Sequence, residues 1–365
     1  MIPFLLSLLV LFLLAYLWLR MRASKLAGED LSVYDAKPET FATAQPSEGL
    51  DRLNDFIRQM FIASAQDGKT DGNAHQWIGK RERFDAMSLA RDFEETEFVT
   101  DVITIDGREI AGSWTLVPGY RTNKRLLYMH GGAFTVGSDI SHRPLTVQLA
   151  RRTGMAVFAP NYRLMPENSR RDGIEDARAA YDWIVENGPD GPAPAEKLVL
   201  AGDSAGGNLV LMLSNWARKH ASRRPDAVIA LSPTVDATFS SPSIRANLAS
   251  DHMLRPMMKP ILKLPKLFLL PAMQHHYAMS PSDPEQSPIY DDLSDLPPTL
   301  IQVSQDEMLY DDAIRFAQKA KAAESPVSVQ IWGGGLPHVW QIFDDYIPEA
   351  GDALREVKVF LDKNT

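Results

Sequence analysis

The 365-residue chain contains no cysteine. Structural disulfides, thiolate metal sites and a cysteine nucleophile are thereby excluded, while reducing and oxidising compartments both stay open. Basic blocks are missing too: 38 Lys and Arg stand against 47 Asp and Glu, for a net charge of −9. A chain without a positive stripe cannot neutralise a phosphate backbone, so nucleic acid is not an expected partner. Internal repeats are absent, which excludes a solenoid or propeller. The length allows one large domain or two ordinary ones, either with a full apolar core.

One stretch lacks charge altogether. Residues 2–19, IPFLLSLLVLFLLAYLWL, are apolar apart from Pro3 and Ser7, and as a helix they would reach roughly 27 Å, just under a bilayer core of ~30 Å. A secretory signal would carry its basic residues before the run and small residues after it. Here Arg20, Arg22 and Lys25 follow. The expectation is an uncleaved transmembrane helix over residues 1–22 that contacts membrane lipid, with the body of the protein on the cytoplasmic face. Residues 23–47, rich in Ala, Ser, Glu, Asp and Pro, read as a tether. Leu50, Leu53, Phe56, Ile57, Met60 and Phe61 then recur at helical spacing, placing cap helices within residues 48–96.

From residue 97 to the C-terminus, eight apolar or β-branched runs read as strands: FVTDVITIDG, SWTLVPG, RLLYMH, AVFAPNY, KLVLAG, AVIALSP, TLIQVS and VSVQIWG. A turn at Asp106 and Gly107 makes the first two a hairpin. The later strands alternate with helical segments, which implies right-handed crossovers and a mostly parallel sheet with helices on both faces. The fold class is α/β. Residues 240–281 break the rhythm, with no strand and with prolines at 256, 260, 265 and 271. Such spacing rules out one straight helix, and the segment reads as a cap insertion over the sheet.

The chemistry lies around LAGDSAGGNL, residues 200–209. A buried strand before it and a helix after it turn Gly202, Asp203, Ser204, Ala205 and Gly206 into a nucleophile elbow, a strained turn that lifts the serine above the sheet. Serine needs a base oriented by an acid, and in this architecture the order is Ser, acid, His. Of the histidines after Ser204, only His338 follows the last two strands. Asp306 ends the seventh strand and is chosen as the acid over its neighbour Glu307, because consecutive loop residues point apart and one alone can meet the imidazole. Asp203, adjacent in sequence, has no expected part. Gly131 and Gly132 of YMHGGAFTVGS follow the third strand and, with Ala205, are the expected oxyanion donors. His130 is read as a loop-shaping residue.

HGGAF, NYRLMPE, GDSAGGNL, SPIYDDLSDLPPTLIQVSQDEMLYDD and PHVW together resemble the hormone-sensitive-lipase-like branch of the α/β-hydrolases, the bacterial family IV esterases. The resemblance implies an α/β-hydrolase fold with a helical cap, hydrolysis of small-molecule esters of short to medium acyl length, and the triad Ser204, Asp306 and His338. It implies no metal and no organic cofactor. Arg163 and Glu167 match positions read as structural. PENSRRDGIED departs from the usual continuation PEHPFPA, and SQD replaces a glycine-bearing acid motif. An amidase of arylacetamide-deacetylase type keeps the same triad, and a ligand-binding module on the same scaffold is the alternative from another class. The cap run 254–272, with Lys259, Lys263 and Lys266 among leucines, is read as pocket wall, with a membrane-touching surface as the sharper alternative.

Overall fold

The computed structural model describes residues 2–67, 75–105 and 107–365. Helix α1 (Ile2–Leu26), a short strand β1 (Ala42–Thr43) and helices α2 (Glu48–Asp67) and α3 (His75–Leu89) precede the hairpin β2 (Glu97–Ile105) and β3 (Arg108–Leu116). The alternating part runs β4 (Arg121–Met129), α4 (Arg143–Thr153), β5 (Met155–Pro160) and α5 (Arg170–Glu186). A two-strand ladder of β6 (Asn187–Gly188) and β7 (Gly191–Pro192) leads into β8 (Lys197–Asp203), α6 (Ala205–His220) and β9 (Ala227–Leu231). The cap insertion holds α7 (Ser243–Ala246), α8 (Arg255–Ile261) and α9 (Lys266–Tyr277), and β10 (Thr299–Ser304), α10 (Tyr310–Ala322), β11 (Val327–Gly333) and α11 (Pro348–Asn364) close the chain. Asp106 of the expected turn lies outside the described residues, while Gly107 stands at φ 75°.

The main sheet has nine strands in the order β1-β11-β10-β9-β8-β4-β5-β3-β2. Only the β2–β3 and β3–β5 pairs are antiparallel. Eight strands are those expected, and β1 is the ninth. Side chains alternate across the pleat: Leu127, Met129, Leu198 and Leu200 pack under α5, α6 and α10, whereas Leu126, Tyr128, Val199 and Ala201 pack under α4 and α11. A sheet covered on both faces is why its central strands read as unbroken apolar runs.

The structure bears on two expectations for the N-terminal region. Among the described residues no helix is long and apolar enough to cross a membrane. Helix α1 forms, but the side chains of residues 2–8 lie outside those described. Nor is 23–47 a tether. Leu31 and Ala44 are buried, Asp35 pairs with Arg315 at 2.6 Å, and β1 runs parallel to β11 with Ala42 opposite Trp332. Composition hid this because the segment's residues lack periodicity, although Leu31 and Ala44 are buried on the body.

In α2, Leu50, Leu53 and Ile57 are buried against Trp332, Trp340 and Phe343, and Phe56 packs beside them; the side chain of Phe61 lies outside those described. The cap insertion is helical and broken between α8 and α9, as its prolines require. Its Ile244, Met258 and Leu262 pack on Met308 and Leu309, the turn after β10. The run 254–272 is partly wall and partly surface: Met258, Leu269 and Leu270 are buried, while Met257, Leu264 and Phe268 are exposed.

Candidate active site

Strand β8 delivers Ser204 at φ 51° and ψ −114°, a left-handed conformation that costs a serine on the order of 1–3 kcal/mol and holds its hydroxyl clear of the sheet. The flanking glycines are required by space. A Cβ on Gly206 would lie 1.8 Å from the Met129 carbonyl oxygen, and one on Gly202 would lie 2.6 Å from Gly206. Helix α6 begins at Ala205, so its first N–H groups have no partner inside the helix.

His338 stands in the loop after β11, with Nε2 2.9 Å from Ser204 Oγ. Its Nδ1 meets Glu307 Oε2, not Asp306. The premise that one acid alone can reach the ring holds, but the choice between them is corrected. Asp306 Oδ2 accepts from Gly335 N at 2.8 Å, across the loop and away from the imidazole. Glu307 is buried, and its Oε1 accepts from Ser304 N at 2.6 Å and Ser232 Oγ at 2.9 Å. With one more methylene it passes inward beneath the turn to the ring. Burial pushes its carboxyl above the usual range despite the nearby imidazole. Burial also opposes charge on His338, but the Glu307 carboxylate outweighs it and lifts the ring above its ordinary 6.5.

The structure also bears on the expected oxyanion donors. Gly131 N donates to Asp203 Oδ1 at 3.0 Å and is committed there. Gly132, Ala133 and Phe134 follow at φ 109°, 53° and 60°, a tight turn beside the nucleophile elbow. The N–H groups of Gly132, Ala133 and Ala205 meet no acceptor among the described residues. Ala133, read from the sequence only as a replaced glycine, therefore joins Gly132 and Ala205 as a candidate donor in place of Gly131.

Asp203, set aside in the sequence, is buried and central. Besides Gly131 N it accepts from Tyr128 OH at 2.6 Å and lies 3.5 Å from His142 Nε2. Burial alone would raise its pKa, but His142 and Tyr128 hold the carboxyl below the usual range. His130 does shape the loop. Nδ1 lies 2.8 Å from Gly131 O, the ring stacks on Tyr162 at 4.3 Å, and burial pulls its pKa down to about 3.

Arg163 is spent on Asp172 and Asp176, and Glu167 on Arg81. In the departing stretch, Ser169 and Asp172 form a capping box that starts α5. Arg170 beside it is fully enclosed: it donates to Asn208 Oδ1 at 2.8 Å and stacks 3.8 Å over Phe134. Burial brings its pKa down to about 10. No periodicity marks a buried arginine in a polar stretch, and sequence reading missed it. Among the described residues no cluster of three or more His, Asp or Glu could hold a metal ion.

A sequence profile of the alpha/beta hydrolase fold matches residues 126–342. An esterase of Acinetobacter venetianus is 34% identical over 238 residues, covering 64% of this chain and 73% of that protein. An acetyl-hydrolase of Streptomyces hygroscopicus is 33% identical over 261 residues, covering 72% and 82%. The crystal structure of an esterase from the bacterial hormone-sensitive lipase family superposes with a TM-score of 0.71 at 30% identity, covering 88% of this chain and 99% of that one.

Proposed function

Because the chain belongs to the hormone-sensitive-lipase-like branch of the α/β-hydrolase family and is a carboxylic-ester hydrolase, we propose that it works through an acyl-enzyme on Ser204. The observation that carries this reading is the unbroken hydrogen-bonded line from Ser204 Oγ through His338 to Glu307. His338 Nε2 takes the hydroxyl proton as Ser204 attacks the ester carbonyl. The carbonyl oxygen becomes an oxyanion facing the N–H groups of Gly132, Ala133 and Ala205. His338 returns the proton to the leaving alcohol, and a water activated by the same nitrogen then releases the acid. Glu307 keeps the proton on Nδ1 and stabilises the imidazolium. Short to medium acyl esters are the proposed substrates, a choice supported by the acetyl-hydrolase named among the relatives.

A fluorophosphonate probe tests the assignment. Labelling should stop hydrolysis of p-nitrophenyl acetate in proportion to occupancy, with the label on the Ser204 peptide by mass spectrometry. Hydrolysis that persists after full labelling, or a label on another residue, would sink it.

We infer in addition that α1 attaches the chain to a lipid surface. Leu9, Leu11, Phe12, Leu14 and Trp18 are all exposed, and a helix apolar on every side calls for an apolar environment. The closing cations Arg20, Arg22 and Lys25 favour the cytoplasmic side for the catalytic body. The full chain should float with phosphatidylglycerol-containing vesicles, and deletion of residues 2–19 should leave it at the bottom of the gradient. Equal flotation of both would rule α1 out as the attachment.

A further inference from the structure

We propose that helix α3 is the outer clamp of the oxyanion loop and that its Arg81 and Asp85 are positioning residues for the reaction. The inference rests on the acyl-enzyme reading above and concerns what keeps its anion site in shape.

The loop needs restraint. Two of its four left-handed residues, Ala133 and Phe134, carry side chains, and each such residue costs roughly 1–2 kcal/mol relative to a relaxed backbone. Its own bonds close only one turn, from Thr135 N and Val136 N to Gly132 O, both at 3.0 Å. From inside the molecule Asp203 grips Gly131. On that side His142, beside Asp203, comes within 3.3 Å of Ser138 O at the end of the far arm, residues 135–138, but among the described residues no group there bonds Thr135 O.

Helix α3 does. Arg81 and Asp85 stand four residues apart and so share one face of the helix. Arg81 Nε donates to Thr135 O at 2.9 Å, and its Nη2 donates to Met165 O at 2.9 Å. Met165 in turn donates its N–H to Phe134 O at 2.8 Å. One planar guanidinium thus ties the oxyanion loop to the loop after β5, while Glu167 accepts from the same fork at 2.7 Å and 3.2 Å. Asp85 accepts from Ser138 Oγ, which itself accepts from Ile140 N and Ser141 N at 3.1 Å. The far end of the loop is therefore fixed to α3 at two points, and the donors at Gly132 and Ala133 lie between these and the inner grip of Asp203.

An anion site works only if its donors already stand where the oxyanion will form, and an error near 1 Å can cost about a hundredfold in rate. The test is Arg81→Met in the full chain, with Glu167→Gln as the control that removes the carboxylate but leaves both carbonyl contacts. We expect Arg81→Met to lower kcat about tenfold or more with KM within about twofold, and to weaken a boronic-acid transition-state analogue by the same factor. Glu167→Gln should keep kcat near the parent value. Equal losses in the two variants, or a loss confined to KM, would overturn the proposal. If Arg81→Met does not fold, Asp85→Ala decides by the same kcat and inhibitor readouts. An active parent with unaffected variants refutes the clamp alone, whereas an inactive parent refutes the esterase reading beneath it.

Discussion

Glu307→Gln should lower kcat on a short acyl ester by about four orders of magnitude, while Asp306→Asn should leave it within about twofold of the parent. The difference follows from which atoms are already committed. Ser304 N and Ser232 Oγ both donate to Glu307 Oε1, so a glutamine here keeps its oxygen on that side and turns its amide nitrogen toward His338. The imidazole must then accept at Nδ1 and carry its proton on Nε2, where it cannot take the proton of Ser204. The pH profile gives an independent check. Neutral His338 is the working form, so kcat/KM falls as pH drops through its pKa, which the Glu307 carboxylate raises against the opposing effect of burial. The acid limb should therefore lie above pH 6.5, the ordinary value for histidine, and the residual activity of Glu307→Gln should show that limb at lower pH. A collapse in Asp306→Asn with an active Glu307→Gln would restore the assignment made from sequence.

Asp203→Leu should cost about 10²–10³ in kcat and roughly 2 kcal/mol or more in unfolding free energy. Leucine leaves Gly131 N–H and Tyr128 OH buried without their acceptor. The loop must then move to find one, and the neighbouring donors move with it. Asp203→Asn keeps an oxygen for both groups and should retain most of the stability, which urea melts of the two variants would compare. Full activity in Asp203→Leu would mean that the Gly131 N–H is not needed where it is held, and would return that residue to the list of oxyanion donors.

The parts of the molecule legible in the sequence are those governed by periodicity and spacing. TLIQVS and VSVQIWG coincide with β10 and β11 to the residue, because β-branched and apolar residues bounded by turn and helix signals mark a strand. The pairing of Ser204 with His338 follows from chain order, since the sheet fixes which loops share an edge. What sequence could not resolve was a choice between neighbours. Asp306 and Glu307 are adjacent and differ by one methylene, and the partners that hold them, Gly335 for the first and Ser232 for the second, lie far away in sequence. Gly131 hid a commitment of the same kind: its N–H, which looked free, is bound to Asp203. Segment 23–47 misled through its composition, because a few buried apolar residues, among them Leu31 and Ala44, and the ion pairs of Glu29 with Lys319 and Asp35 with Arg315 dock a chain whose composition matches a linker.

The docking of that segment has a practical side. Phe41 N and Ala44 N donate to Ile331 O and Gly333 O, so β1 covers the end of β11 that would otherwise be a bare sheet edge. A bare edge is a template for pairing with another chain. Trimming the protein back to residue 48 to be rid of α1 would remove this cover and trade an apolar helix for a sticky border. A cut between α1 and Asp30 would shed the helix and keep the border sealed.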